Sequence, residues 1–421
     1  MDRRDFFKDA AAAGVMLSAV APGITEILYP EPVIAQTQAA APVSCAVIGL
    51  GDRGLQMLRE LASMTELNLA VICDSYEPFI KRALEHAPKA STTTDYKQIL
   101  DNKSIQAVII ATPSNLHKQI VLDSLQAGKH VYCEAPIAHT IDDAHIIAAA
   151  GKQASPKLIF QAGLQRRVNP QYLHVHKLLT TGALGDAAYC RAQWHNKTSW
   201  RRSSPNHDQE IMLNWRLSKL TSPGLVGEMG IHSIDLMNWY LNALPSAVTG
   251  FGSIIHWNDG RDVPDTMQCM IEYPNGVRFG YDATLVNSFD DAYDVMHGSD
   301  SAFFMRGEKA WMINEADAQL AGWIVYARKE PVNDSVGVVL VADASKLLAL
   351  GKIPGKDGAA APAKTMLHYA LKEFATAVQT GKQPSAGPEE GYKATVVALL
   401  ANQAVNTNSR VEIRQEMLSL A

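Results

Sequence analysis

The chain has 421 residues, 47% of them hydrophobic and 19% charged, with a formal net charge of -5 and five cysteines. That balance describes a protein able to bury a sizeable core, and at roughly 100–200 residues per domain it makes two domains the default expectation. The slightly acidic charge gives no electrostatic case for a nucleic-acid partner, which favours a basic face. The cysteines are too few and too scattered for a disulfide scaffold.

Residues 1–36 read as a targeting segment. Arg3 and Arg4 precede Asp5-Phe6-Phe7-Lys8, and an apolar run from Ala10 to Ala21 follows. Twin arginines in this position are the address read by the twin-arginine export route, so periplasmic or secreted delivery is expected. Cleavage is expected near Val33-Ile34-Ala35, with Ala39-Ala40-Ala41 as a second option. The run is short of the roughly 20 residues that span a bilayer, so no stable membrane anchor is expected. The route carries folded proteins, and the periplasm has no soluble pool of nicotinamide cofactor to exchange with.

From Val43 the pattern alternates between strands and helices. Val43 to Ile48 is a short apolar strand running into Gly49-Leu50-Gly51-Asp52-Arg53-Gly54, and a helical stretch with Leu55, Leu58 and Leu61 follows. A second apolar strand, Leu67 to Cys73, ends at Asp74. A G-x-G-x-x-G between strand and helix, with an acidic residue about 20 positions on, is the dinucleotide fingerprint. Gly49 permits the tight turn, Gly51 lets the backbone approach the pyrophosphate, and Gly54 lets helix and strand pack closely. Asp74 is expected to accept hydrogen bonds from the adenosine ribose and to repel a 2′-phosphate, which favours NAD over NADP.

Further strands are expected at Gln106 to Ala111, His130 to Cys133 and Leu158 to Gln161, with a helix from Ile141. This alternation predicts a parallel, doubly wound Rossmann domain over 43–165. Ligands in such sheets bind beyond the carboxyl ends of the strands. Asp52, Arg53, Thr112, Asn115, His117 and Glu134 stand at or near such ends, so they join Gly49, Gly51, Gly54 and Asp74 as candidate cofactor residues.

Beyond Arg166 the character changes. Strands are expected at about 186–195, 246–256, 265–274, 276–287, 293–298, 302–306, 309–313 and 322–327, with few helices between them. Runs of strands predict an α+β domain over 166–421 with a large, mostly antiparallel sheet. One helical segment interrupts it. In Gly227 to Leu241, the residues Glu228, His232, Asp235 and Trp239 fall at i, i+4, i+7 and i+11, on one stripe. A histidine flanked by two carboxylates can be held in one tautomer with its pKa raised, which suits acid/base work. No metal site is expected, because no further His/Cys cluster stands at ligand spacing.

With these motifs in hand, the sequence resembles the Gfo/Idh/MocA (glucose-fructose oxidoreductase-like) family from about Val43 to the C-terminus. The resemblance rests on Gly49 to Gly54, Ala111 to His117, Gly128 to Pro136 and Gly230 to Asp235. It implies NAD(P) in the first domain and a sugar or polyol lying against the open sheet of the second. It also implies His232 as the leading acid/base residue, with Glu228 in the family's aspartate position and Arg167 and Asp235 beside the substrate. The family's Glu-Lys-Pro triplet is here Glu134-Ala135-Pro136. Alanine cannot move a hydroxyl proton, and Lys219 is the expected replacement.

Three functions remain open at this point. The first is a sugar or polyol oxidoreductase with a tightly held, internally recycled cofactor. The second is a redox-neutral NAD-dependent glycosidase or lyase acting through a transient keto-sugar. The third is a sugar-binding protein that kept the fold without the chemistry. An exposed sheet face makes a homo-oligomer the expected assembly.

Overall fold

Short apolar strands separated by amphipathic helices bury themselves by pairing side by side with helices on both faces. In the computed structural model, which describes residues 41–342 and 364–420, this is how the first half of the chain folds. The expected signal peptide and its cleavage sites lie outside the described residues. Six strands build one parallel sheet: β1 (Val43–Ile48), β2 (Leu67–Cys73), β3 (Ser91–Thr93), β4 (Ala107–Ile110), β5 (His130–Cys133) and β6 (Phe160–Ala162). Their order is β3-β2-β1-β4-β5-β6. β3 is three polar residues at the sheet edge, with no apolar signal to announce it. The strand order reverses between β1 and β4, which opens a crevice beyond their carboxyl ends.

The second sheet has ten strands, in the order β14-β15-β13-β12-β11-β7-β10-β9-β8-β16. They are β7 (Ala187–His195), β8 (Ala247–Ser253), β9 (Thr266–Glu272), β10 (Arg278–Thr284), β11 (Ala292–Gly298), β12 (Ser301–Arg306), β13 (Lys309–Asn314), β14 (Lys329–Val332), β15 (Ser335–Val339) and β16 (Arg410–Glu412). The β7–β10 pair is parallel and the other described pairs are antiparallel. The strand expected at 322–327 is instead a short 3-10 turn, Gly322–Tyr326. Its apolar residues read as a strand, yet Ile324 is buried as a plug, and the hairpin forms just afterwards from β14 and β15, with Asn333 at φ 52 in its loop.

Side-chain alternation decides the sheet's two faces. Phe279, Tyr281 and Ala283 of β10 are buried in a core shared with helices Ile231–Tyr240 and Pro388–Thr407. The other face stays open, with Phe251 and Met270 exposed on it.

Helix Met366–Thr380 complicates a division by chain order. Its Leu367, Leu371 and Phe374 belong to the cluster of Val43, Cys45 and Val47 on β1. A segment that follows strands β7 to β15 of the second sheet in sequence thus completes the core of the first. Among the described residues, no helix is long and apolar enough to cross a membrane.

Candidate active site at the strand crossover

The glycine loop is shaped by close approaches. A Cβ on Gly49 would lie 2.6 Å from the Ala111 carbonyl carbon and the Thr112 nitrogen, and Gly49 itself has φ 94. A Cβ on Gly54 would lie 2.0 Å from the Gly49 carbonyl oxygen. Both positions are therefore closed to side chains by the fold. Gly51 differs: its Cβ would meet nothing within 4 Å, and it caps the N-terminus of helix Asp52–Leu61. A helix N-terminus opening onto free space is a fitting place for a dinucleotide's phosphates. Asp74 closes the loop from β2, accepting from the Leu50 N–H at 2.7 Å and the Tyr76 N–H at 2.9 Å. Burial raises its pKa, against the lowering effect of those two bonds.

Beyond β4, Thr112 Oγ1, Ser114 Oγ and Asn115 Oδ1 are buried without a hydrogen-bond partner. Orphaned buried polar atoms call for an explanation, and a bound cofactor's polar edge supplies one. The residues present therefore fit a dinucleotide. Arg53 donates from Nη2 to Glu134 Oε1 at 3.0 Å, which joins the glycine loop to the end of β5. Asp52 is exposed and pairs with Arg202; burial disfavours its charge, but Arg202 and Arg82 outweigh that and lower its pKa.

His117 is not a lining residue. It is buried, with Nε2 at 2.9 Å from the Thr112 carbonyl and Nδ1 at 3.2 Å from that of Ile137. Burial brings its pKa down to about 4. The neutral ring donates from one nitrogen: with Nε2–H on the Thr112 carbonyl, Nδ1 faces the Cys133 thiol at 3.4 Å, and His117 packs between the loop after β4 and the loop after β5.

The stripe from Glu228 to Trp239 is also rearranged. A π-turn, Val226–Gly230, carries Glu228, and the regular helix begins only at Ile231. Single π turns are frequent at functional sites. Glu228 Oε2 accepts from Arg216 Nε at 2.8 Å, while Glu228 Oε1 is buried without a partner. Burial raises the Glu228 pKa and Arg216 opposes the rise.

Asp235 accepts from both Nε and Nη2 of Arg167, at 2.9 and 2.8 Å, and the Arg167 guanidinium lies 5.6 Å from the centre of the Trp239 ring. The pair anchors the turn Gln165–Val168 to the helix Ile231–Tyr240, so each of these two expected substrate residues is engaged by the other.

His232 therefore lacks its two carboxylate neighbours. Both are held by arginines, and the charges that reach the imidazole are those of Arg166 and Arg53. Burial first, and these cations second, lower its pKa to about 3, opposite to the rise that the stripe suggests. His232 is a neutral imidazole at working pH. Arg166 is itself fixed by Asp294 at 2.7 Å and Ser233 at 3.1 Å. The influence of Arg53 on His232, and of Arg216 on Asp52, brings the stripe to the mouth of the crevice.

Lys219 does not enter the site. Its side chain is exposed, and its backbone N–H donates to Asp262 Oδ1 at 2.7 Å. The cation that reaches Glu228 is Arg216, three residues earlier. Arg216, Arg166 and Arg202 escape a sequence reading because nothing in spacing distinguishes them from surface arginines. Among the described residues, no group of three or more His, Cys, Asp or Glu could hold a metal ion.

Comparison with known proteins agrees with this architecture. Residues 43–161 match the family model described as oxidoreductase family, NAD-binding Rossmann fold, and residues 172–313 match that of the GFO/IDH/MocA C-terminal domain. The two matches together span more than half of the chain, which belongs to the Gfo/Idh/MocA oxidoreductase family. An inositol 2-dehydrogenase of Salmonella typhimurium is 25% identical over 48% of this chain and 55% of its own length. An alpha-N-acetylgalactosaminidase of Shewanella oneidensis is 25% identical over 39% of this chain and 38% of its own. The chain thus spans about half or less of these curated relatives. A levoglucosan dehydrogenase in complex with NADH superposes with a TM-score of 0.69, at 20% identity, over 89% of this chain and 99% of that one. At that identity the likeness is one of fold.

Proposed function

We propose that this oxidoreductase removes the hydroxyl proton of a sugar or polyol, and the hydride of the carbon that bears that hydroxyl, with NAD held in the crevice. The observation that carries the reading is Glu228: one oxygen is fixed by Arg216, and the other is buried and unpartnered. Ionised Glu228 takes the hydroxyl proton on Oε1. Neutral His232 donates from one ring nitrogen to the same hydroxyl and orients it. Gly51, Asp74, Thr112 and Asn115 would hold the cofactor, with the Arg53–Glu134 pair tying the glycine loop to the end of β5 beside them. When bound, the cofactor supplies the acceptor for the hydride. Asp74 supports NAD over NADP, because a 2′-phosphate would meet its carboxylate.

A strap from the second domain supports a cofactor that stays bound between turnovers. Residues 196–218 cross to the first domain, where Arg202 pairs with Asp52 and lies 5.4 Å from the centre of the Phe79 ring, while Ser75 Oγ meets Met212 Sδ at 3.7 Å. The likeness to an alpha-N-acetylgalactosaminidase, together with Ala135 in the lysine position, favours a second form of the same chemistry. In that form ring oxidation is transient and a glycosidic bond is cleaved.

Denaturing the purified protein and identifying the released nucleotide tests the cofactor. A panel including inositol and levoglucosan, followed by cofactor reduction, tests net oxidation. Glu228→Gln is expected to lower turnover by roughly 10²–10⁴-fold, the usual contribution of a positioned proton acceptor, with cofactor content unchanged. A loss below about tenfold would return Glu228 to a structural role.

Export by the twin-arginine route and assembly through the open sheet face complete the proposal. Arg3→Lys with Arg4→Lys should leave a folded protein in the cytoplasm, and its normal delivery to the periplasm would end the targeting assignment. Light scattering should report an oligomer that Phe251→Glu weakens.

A further inference from the structure

The carboxylate of Glu228 is held in an unusual way. Its π-turn packs too closely to drift: a Cβ on Gly230 would lie 2.7 Å from the Tyr281 ring, and one on Gly227 would lie 2.4 Å from Pro223. Facing it, the turn Trp215–Leu217 presents Arg216. This turn is pinned by buried Leu217 and by Thr221 Oγ1, which donates to the Trp215 carbonyl at 2.6 Å. The Arg216 guanidinium lies 4.6 Å from the centre of the Trp215 ring and 5.5 Å from that of Trp200.

Trp200 has φ 60, a left-handed conformation costly for a bulky side chain. Such strain persists only where the surroundings over-determine it. Two aromatic faces thus set the direction of the guanidinium, and only its Nε reaches the carboxylate, on Oε2. Oε1 is left bare.

We infer that Arg216 is the positioning residue of Glu228: clamped by Trp200 and Trp215, it fixes Oε2, turns Oε1 towards the substrate hydroxyl, and supplies the positive charge that Ala135 cannot. This deepens the proposed function and rests on Glu228 as the proton acceptor. The other groups facing the turn compete little. Tyr281 beneath it is kept neutral by burial, Asn402 comes from the helix Pro388–Thr407, and along its own helix His232 is neutral and Asp235 is held by Arg167. Arg216 is the one charge among the described residues that acts on Glu228 to oppose its burial.

The test uses the holoenzyme and reads the Glu228 carboxyl directly, by infrared difference titration with Glu228→Gln identifying the band. Arg216→Gln should carry protonated Glu228 about tenfold lower in proton concentration, a shift upward of about one pH unit. The acid limb of kcat/KM on levoglucosan or inositol should move with it, at unchanged cofactor content. Arg216→Lys keeps the charge and loses the planar fork, so its titration should stay near the wild type while kcat falls at least tenfold.

An unmoved titration in Arg216→Gln overturns the inference. If that variant does not fold, Arg216→Lys decides: a wild-type kcat there overturns it equally. Full activity of Glu228→Gln would instead remove the proton-acceptor reading, and the titration would still report on Arg216.

Discussion

Asp74 shows how one side chain serves loop and ligand together. Its two oxygens accept from Leu50 and Tyr76, which shapes the glycine loop, and each oxygen keeps a second lone pair for a ribose hydroxyl. Asp74→Ala should therefore weaken NAD binding and narrow the preference over NADP, as measured by dissociation constants for both nucleotides. An unchanged ratio would remove the ribose role.

His117 makes a prediction about acid stability. The unfolded imidazole titrates near its ordinary value of 6.5, and the folded one only near about 4. A depressed histidine pKa means that the unfolded chain binds the extra proton, so this contribution to stability is whole above 6.5 and is lost as pH falls towards 4. The gap between urea midpoints at pH 7 and pH 5 should narrow in His117→Gln. An equal gap would mean that the proton is taken up elsewhere.

At the scale of elements, the glycine loop separates what the fold needs from what the ligand needs. Gly54→Ala forces a methyl group onto the Gly49 carbonyl and should cost folding, read as a lower melting temperature. Gly51→Ala meets open space, so the protein should melt normally and lose NAD. Equal NAD affinity in Gly51→Ala would place the phosphates elsewhere.

The same loop marks how far the sequence could be read. Glycine spacing, apolar strands and an acidic strand end are local signals, and local geometry realised them: β1, β2 and β5 carry the expected bounds. The stripe of Glu228, His232 and Asp235 is equally local, and the folded environment changed its meaning. Its partners Arg216, Arg167 and Arg166 arrive from turns 12 or more residues away in the chain, so no helical periodicity could announce them. The π-turn likewise breaks the spacing that the stripe assumes.

For the whole molecule, the two domains are joined by more than the chain crossing at β6. Helix Met366–Thr380 returns to the first sheet, and Gln161 of β6 donates to the Ala370 carbonyl at 3.0 Å. The strap 196–218 makes the second connection, and it lands beside the glycine loop. Arg202 is its latch. Asn214 holds the backbone of Arg202 in both directions, at 2.7 and 3.0 Å, and its guanidinium spans Asp52 of the glycine loop and the face of Phe79.

The Asp52 pair is exposed on the carboxylate side, so its share of overall stability should be small. Its effect should fall instead on the rate at which the crevice opens. Arg202→Ala is expected to keep its melting temperature within a few degrees while releasing NAD at least tenfold faster, followed by exchange against labelled nucleotide. Asp52→Asn should do the same, and the double variant should release no faster than either alone, because both remove one contact. Additive effects would show two independent routes of release, and an unchanged rate in Arg202→Ala would leave the strap without a part in cofactor retention.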